Sequence, residues 1–186
     1  MEYFGTPTFV GDLDDIVVDG ISFQFEVVEE QEYDEAQYTL IFTHELSNGQ
    51  FLSVAFIEND FYTYNISLNI ANTFGYSRLW HFVGSPDDET TGTCGLEGLK
   101  KAFKLVKWFA HEILPDGHSL TIYSEGKRTK AYRFLKRIGF DEKFTAKGTE
   151  LGTIGIFEYE NGNKNEQDFL FTLTDINTTL DRINAY

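Results

Sequence analysis

The hydrophobic period of this chain changes once, and the change restricts the folds open to it. Up to about residue 83, apolar side chains come in short β-branched and aromatic runs or alternate with polar ones. From Leu96 they step by three and four: Leu96, Leu99, Phe103, Val106, Ala110, Ile113. A period of two belongs to strands and one of 3.6 to helices, so the chain reads as a β-rich half followed by an α/β half. Thr39–Glu45 and Phe51–Ile57 flank Ser47-Asn48-Gly49, whose Asn-Gly suits the positive φ of a hairpin turn. Tyr62, Tyr64, Ile66, Leu68 and Ile70 alternate with polar residues and predict a strand with one wet face. Arg78–Val83 predicts a short apolar strand that stops at Gly84-Ser85-Pro86, because proline cannot donate to a ladder.

The helical stripe from Leu96 leaves Lys100, Lys101, Lys104 and Lys107 on the other side and ends at Pro115-Asp116-Gly117. Ser119–Tyr123 is the next strand, and a second helix over about 128–138 is closed by Gly139. Thr153–Tyr159 and Phe169–Thr174 predict closing strands, separated by Asn161-Gly162-Asn163, with a polar tail from Asp175. With 186 residues and 41% apolar side chains, one domain with a substantial core is expected. No run approaches the roughly 20 apolar residues of a membrane span, and the acidic start lacks the pattern of a signal peptide, so a cytoplasmic location is expected. A single cysteine, Cys94, and four scattered histidines predict neither an internal disulfide nor a metal cluster.

Charge narrows the partners. The net charge is −15, yet residues 1–77 hold 14 acids and no Lys or Arg, whereas residues 97–143 hold 11 bases against 6 acids. Such a chain repels phosphate backbones and anionic bilayers, which argues against general nucleic-acid binding and against membranes. The acids Glu29, Glu30, Glu32, Asp34 and Glu35 are dense enough to raise a third idea, an acidic DNA mimic that inhibits a host protein.

Residues 78–140, about a third of the chain, resemble the GNAT (GCN5-related N-acetyltransferase) superfamily. In that family a strand ends in a Pro-containing turn, and a loop Arg/Gln-x-x-Gly-x-Gly/Ala opens a long helix whose exposed amides bind the pyrophosphate of acetyl-CoA. Here Pro86-Asp87-Asp88-Glu89-Thr90-Thr91-Gly92-Thr93-Cys94 follows the strand Leu79–Val83. The family's Asn-x-x-Ala-x-x-(apolar)-Tyr-x-x-x-Gly-Phe falls on residues 128–140, where Ala131, Phe134, Ile138, Gly139 and Phe140 fit its spacing. The run Arg133-Phe134-Leu135-Lys136-Arg137-Ile138-Gly139 is similar to a phage-encoded branch that includes internal virion or assembly proteins of short-tailed phages. The resemblance implies a mixed, mostly antiparallel sheet with helices on both faces and a splayed central parallel pair, Leu79–Val83 beside Leu120–Tyr123. It divides the chain into an acidic β-rich half at 1–77, an acyl-CoA-site-like core at 78–140, closing strands at 141–174 and a polar tail at 175–186.

The cofactor implied is acetyl-CoA, along Phe82, Val83, Gly92, Thr93, Cys94 and Gly95. Four departures bear on it. Glu89 stands in place of Arg or Gln, Cys94 in place of a small residue, Arg128 in place of Asn, and Leu135 in place of the Tyr that protonates the departing thiolate. Gly92 and Gly95 serve either an amide nest or a tight turn; Cys94 is either a thiolate or a small packed residue. The lysines of the first helix are either phosphate ligands or a solvated face. His81, Glu125 and Tyr123 are the catalytic candidates, His81 because a neutral imidazole can take an amine proton at neutral pH. Two main functions follow: a GNAT-like protein with weak or no catalysis that meets a phage structural or host protein through its acidic face, or an N-acetyltransferase acting on a cationic amine.

Overall fold

Gly49 sits at φ 85°, and Leu46 closes the turn by accepting from Gly49 N (3.0 Å) and donating to Gln50 O (2.7 Å), which is the hairpin that Asn-Gly prescribes. A computed structural model describes residues 8–9, 14–32, 35–59, 62–72, 96–162 and 176–186. Its strands are β1 (Thr8–Phe9), β2 (Asp14–Val18), β3 (Ile21–Glu32), β4 (Glu35–Glu45), β5 (Phe51–Asn59), β6 (Thr63–Ala71), β7 (Ser119–Glu125), β8 (Asp141–Thr149) and β9 (Gly152–Glu160). The helices are α1 (Glu97–Trp108), which continues as a π-helical turn over Phe109–Ile113, α2 (Lys127–Tyr132), which tightens to 3₁₀ over Arg133–Arg137, and α3 (Ile176–Asn184). The sheet is mixed and mostly antiparallel, as expected, with one parallel pair among the described residues. The chain divides into two compact units, Met1–Glu58 with Ser67–Val106, and Asn59–Ile66 with Lys107–Tyr186.

In the first unit the β4–β5 pairing runs from Glu45↔Phe51 to Thr39↔Ile57, the span the sequence predicts. The strand β3 joins it antiparallel, with Phe25 opposite Phe42, and β2 returns onto β3 through Asp19-Gly20, both at positive φ. Both faces of this ladder are buried. Phe23, Phe25, Phe42 and Phe56 fill one side, and Val28, Ile41 and Ala55 the other, so Leu40–Thr43 and Leu52–Phe56 are buried without alternation.

Helix α1 and its π-helical turn bury the C-terminal half of the predicted stripe, Val106, Ala110 and Ile113, while Leu96 at its start is 61% exposed. Beside that stripe a second line is buried, through Gly98, Ala102, Leu105 and Phe109. Small residues make this the closer-packing side: a Cβ on Gly98 would stand 2.6 Å from Ile70 Cδ1. In the second unit the helix ends on a π-type bond from Leu114 N to Phe109 O (2.8 Å), ahead of Pro115. The carbonyl of Leu114, at the helix end, accepts from both Asn161 Nδ2 (2.7 Å) and Arg182 Nη1 (3.1 Å).

The parallel neighbour of β7 is β6, with Thr63↔Ser119 to Ile66↔Ile122 in register. This corrects the assignment of Leu79–Val83 to that role; Arg78–Val83 lies outside the described residues, as does Phe169–Thr174. Both apolar runs suit a strand, and which one pairs with β7 is decided by long-range contacts that composition does not encode. The remaining antiparallel neighbours are β7–β9 and β9–β8. The residues read as a polar tail form α3, which buries Ile176, Thr179 and Ile183 and sets Thr179 Oγ1 2.8 Å from Tyr64 Oη. Among the described residues no helix is long and apolar enough to cross a membrane.

Candidate functional site

The β6–β7 ladder is four residue pairs long and stops at Ile66↔Ile122, although β6 runs on to Ala71 and β7 to Glu125. The buried positions of β6 change parity at this point, from Tyr64 and Ile66 to Asn69 and Ala71, as one inserted residue produces. Asn69 Nδ2 is buried with no hydrogen-bond partner among the described residues. Past the ladder, β7 turns Tyr123 and Glu125 to its exposed side, two residues apart, and Tyr123 Oη donates to Glu125 Oε2 at 3.2 Å. Desolvation, and then the bond to the Glu125 carboxylate, raise the Tyr123 pKa, so its hydroxyl stays a donor. The structure thus brings together two of the three catalytic candidates. His81 lies outside the described residues, as do Phe82, Val83, Glu89, Gly92, Thr93, Cys94 and Gly95.

The β7–α2 connection is tied to β9 by hydrogen bonds. Gly126 adopts φ 63°, and Thr129 Oγ1 accepts from Ser124 Oγ (3.0 Å) while donating to Thr153 O (2.9 Å). Gly126 N donates to the same carbonyl (2.7 Å), which fixes the start of α2 against β9. From there the side chains depart from the spacing an α-helix would give. Phe134 is 52% exposed beneath the Arg137 guanidinium, 5.0 Å from its ring centre, whereas Leu135 is fully buried. The 3₁₀ turn advances 120° per residue instead of 100°, which rotates this stretch away from the phase that the sequence pattern assumes. Tyr132 is buried too.

Two bases of the cationic stretch are spent on one acid. Lys136 Nζ is 2.7 Å from Glu142 Oε2, Arg133 Nε is 3.3 Å from Oε1, and Thr145 Oγ1 donates to Oε1. The Lys136 contact foremost, then those of Thr145 and Arg133, hold the Glu142 pKa near 2 against the opposing effect of burial.

In the first unit, α1 begins with a second network. Ser47 Oγ donates to Glu97 Oε2 at 2.5 Å and Ser47 N to Oε1 at 3.2 Å. Lys101 Nζ reaches Glu97 Oε1 at 2.9 Å and His44 Nε2 at 2.8 Å, and His44 Nδ1 lies 2.7 Å from Ser22 O. A carbonyl only accepts and an ammonium only donates, so His44 is neutral with its proton on Nδ1. The Ser47 hydroxyl first, then Lys101, lower the Glu97 pKa from 4.5 to about 2. Lys104 pairs with Asp19 at 3.4 Å, which leaves Lys100 and Lys107 as the exposed lysines of this helix with no ion pair among the described residues.

The sign of the acid response follows. Glu97 and Glu142 ionise near pH 2 when folded and near 4.5 otherwise, so the unfolded chain takes up protons first as pH falls. Their contribution is complete above about pH 5 and lost on the way to pH 2. The urea midpoint should therefore be lower at pH 3 than at pH 6, and Glu97→Gln with Glu142→Gln should flatten that difference. An unchanged slope in the double variant would contradict the assignment.

These observations bear on acetyl-CoA. A pyrophosphate at a helix start relies on free amides and the positive end of the macrodipole. At α1 the first turn already carries an ionised carboxylate, and Lys101 is committed to it, while Lys100 beside it has no ion pair among the described residues. An ionised carboxylate in that turn opposes an anion there, while the buried donor of Asn69 would suit an acceptor group.

No family model and no curated protein matches the chain. Among solved structures it is similar to the spermidine/spermine N-acetyltransferase SpeG of Vibrio cholerae, at 11% identity over 76% of this chain and 72% of that one, with a TM-score of 0.40. It is also similar to a GNAT-family acetyltransferase of Bacillus anthracis, at 15% identity over 67% of this chain and 65% of that one, with a TM-score of 0.33.

Proposed function

We propose that this chain is a GNAT-type scaffold whose acyl-CoA site has degenerated, and that it acts by binding another protein rather than by acetyl transfer. The observation that carries this reading is Glu97, a carboxylate in the first turn of α1 held ionised by Ser47 and Lys101. Burial of Leu135, where the resembling pattern has its acid tyrosine, points the same way. The phage-type run at 133–139 and the absence of bases before Arg78 support a role in virion assembly or host interaction, inside an infected cell or a virion. Acetyl-CoA titrated calorimetrically into the full chain should bind no tighter than about 1 mM, roughly −4 kcal/mol. Micromolar binding that Gly92→Val abolishes would overturn the reading.

A second reading rests on the Tyr123–Glu125 pair. A carboxylate at the end of β7, in a chain with a large acid surplus, suits an ammonium substrate, and the reading is an N-acetyltransferase of a cationic amine. Acetyl transfer to polyamine, aminoglycoside and lysine-peptide acceptors at saturating acetyl-CoA checks it. Turnover that falls at least tenfold in Glu125→Gln would favour it over the first reading, and silence across the panel would remove it.

A further inference from the structure

We propose that the outward face of β7, β9 and β8 is a docking surface for a cationic amphipathic segment of a partner protein. The register places Tyr123 opposite Ile156 and Ile156 opposite Phe144, so the three side chains form one row across the strands. At about 4.8 Å per strand the row is roughly 10 Å wide. Tyr123 is 51% exposed and Phe144 is 49% exposed, with Ile156 partly exposed between them. The neighbouring row toward the end of β7 is Glu125, Ile154 and Ala146, and the row on the other side is Thr121, Glu158 and Asp141. Successive rows on one face lie about 6.7 Å apart. An apolar band is therefore bordered by carboxylates on both flanks.

A local irregularity creates this band. Between Glu142 and Phe144 the β8–β9 register shifts by one residue, so that Glu142, opposite Phe157, faces α2, while Phe144, opposite Ile156, faces outward. Without the bulge, residues 142 and 144 would share a side, and Phe144 would lie with Arg133 and Lys136. The charges on the flanks select the occupant. A second copy would bring the same carboxylates against one another, and an anionic bilayer would be repelled by them. Lys143, 4.0 Å from Asp141, offsets part of one flank only. A segment with apolar side chains along its centre and Lys or Arg on either side satisfies the band and both borders. This inference shares Tyr123 and Glu125 with the acetyl-transfer reading but needs no acyl-CoA bound.

The test uses the full chain, isotope-labelled, with a synthetic amphipathic peptide of Leu and Lys and its Glu-for-Lys counterpart as probes. The Lys peptide should shift the amide signals of Tyr123, Phe144 and Ile156. Its affinity should fall at least tenfold in Tyr123→Ser with Phe144→Ser, and by a similar factor in Glu125→Lys with Asp141→Lys, while the Glu peptide should not bind. The second pair changes exposed positions, at the cost of the Tyr123–Glu125 hydrogen bond, and keeps the test valid if the first pair impairs folding, which thermal unfolding would report. No binding, equal binding of the Glu peptide, shifts confined to the N-terminal acidic strands, or affinity indifferent to both variant pairs would overturn the proposal. A dimer in sedimentation that Phe144→Ser dissolves would assign the face to self-association instead.

Discussion

Phe42→Ala should cost about 3–5 kcal/mol of stability, read as a lower urea midpoint at unchanged slope. Phe42 is fully buried and central to the first unit: its ring lies 4.8 Å from Phe25, stacked, and meets Phe23 at 6.5 Å and Phe56 at 5.7 Å, both edge-on. Each favourable aromatic pair adds about 0.5–1.5 kcal/mol beyond the area buried, so alanine removes packing on several sides at once. Collapse into the space is limited because Phe42 sits on the middle strand of the ladder, between β3 and β5. Phe42→Leu, which keeps most of the volume, should cost clearly less. A loss below about 1 kcal/mol for the alanine variant would mean that the two-sided burial of this ladder does not persist in solution.

How much of this was legible in the sequence depends on the range of the interactions. The β4–β5 hairpin was readable because its signal is local: Asn-Gly between two apolar runs. The β2–β3 hairpin carries an equally local signal, Asp19-Gly20 followed by the alternation Ile21, Phe23, Phe25, Val27, set among the acids of this half. Helix α3 likewise spaces Ile176, Thr179, Leu180 and Ile183 at helical intervals, hidden by the polar composition around them. The strand β8 was not legible, since register shifts on either side of Phe144–Ala146 destroy its alternation. In helix α1 the apolar period marks the buried Val106, Ala110 and Ile113, but not the side where Gly98 makes the closest approach, because a glycine carries no hydrophobic signal. In the candidate site, Tyr123 and Glu125 meet because they are two apart on one strand. The Glu97 network was out of reach: Ser47 lies 50 residues away and His44 lies 57 residues from Lys101.

Leu135→Tyr should not recover a proton donor; it should destabilise the second unit by about 2–6 kcal/mol. The substitution restores the residue type of the resembling pattern, so it tests whether the departure there is a simple loss. Leu135 is fully buried on the inner side of the 3₁₀ turn, and its carbonyl accepts from Ile138 N (2.9 Å) and Phe140 N (3.1 Å), which anchors that turn. A tyrosine ring overfills the position, at about 1–3 kcal/mol, and its hydroxyl enters the core without a partner, at about 1–3 kcal/mol more. Leu135→Met, of similar volume, should cost under about 1.5 kcal/mol and serves as the control. Urea unfolding of both variants, followed by an acetyl-transfer assay on whichever remains folded, separates the outcomes. A Leu135→Tyr chain of near-native stability that gained acetyl transfer would place residue 135 on a cleft wall. The expected loss would instead mean that the 3₁₀ rotation of residues 133–137 has moved this position into the core, where no single substitution brings the chemistry back.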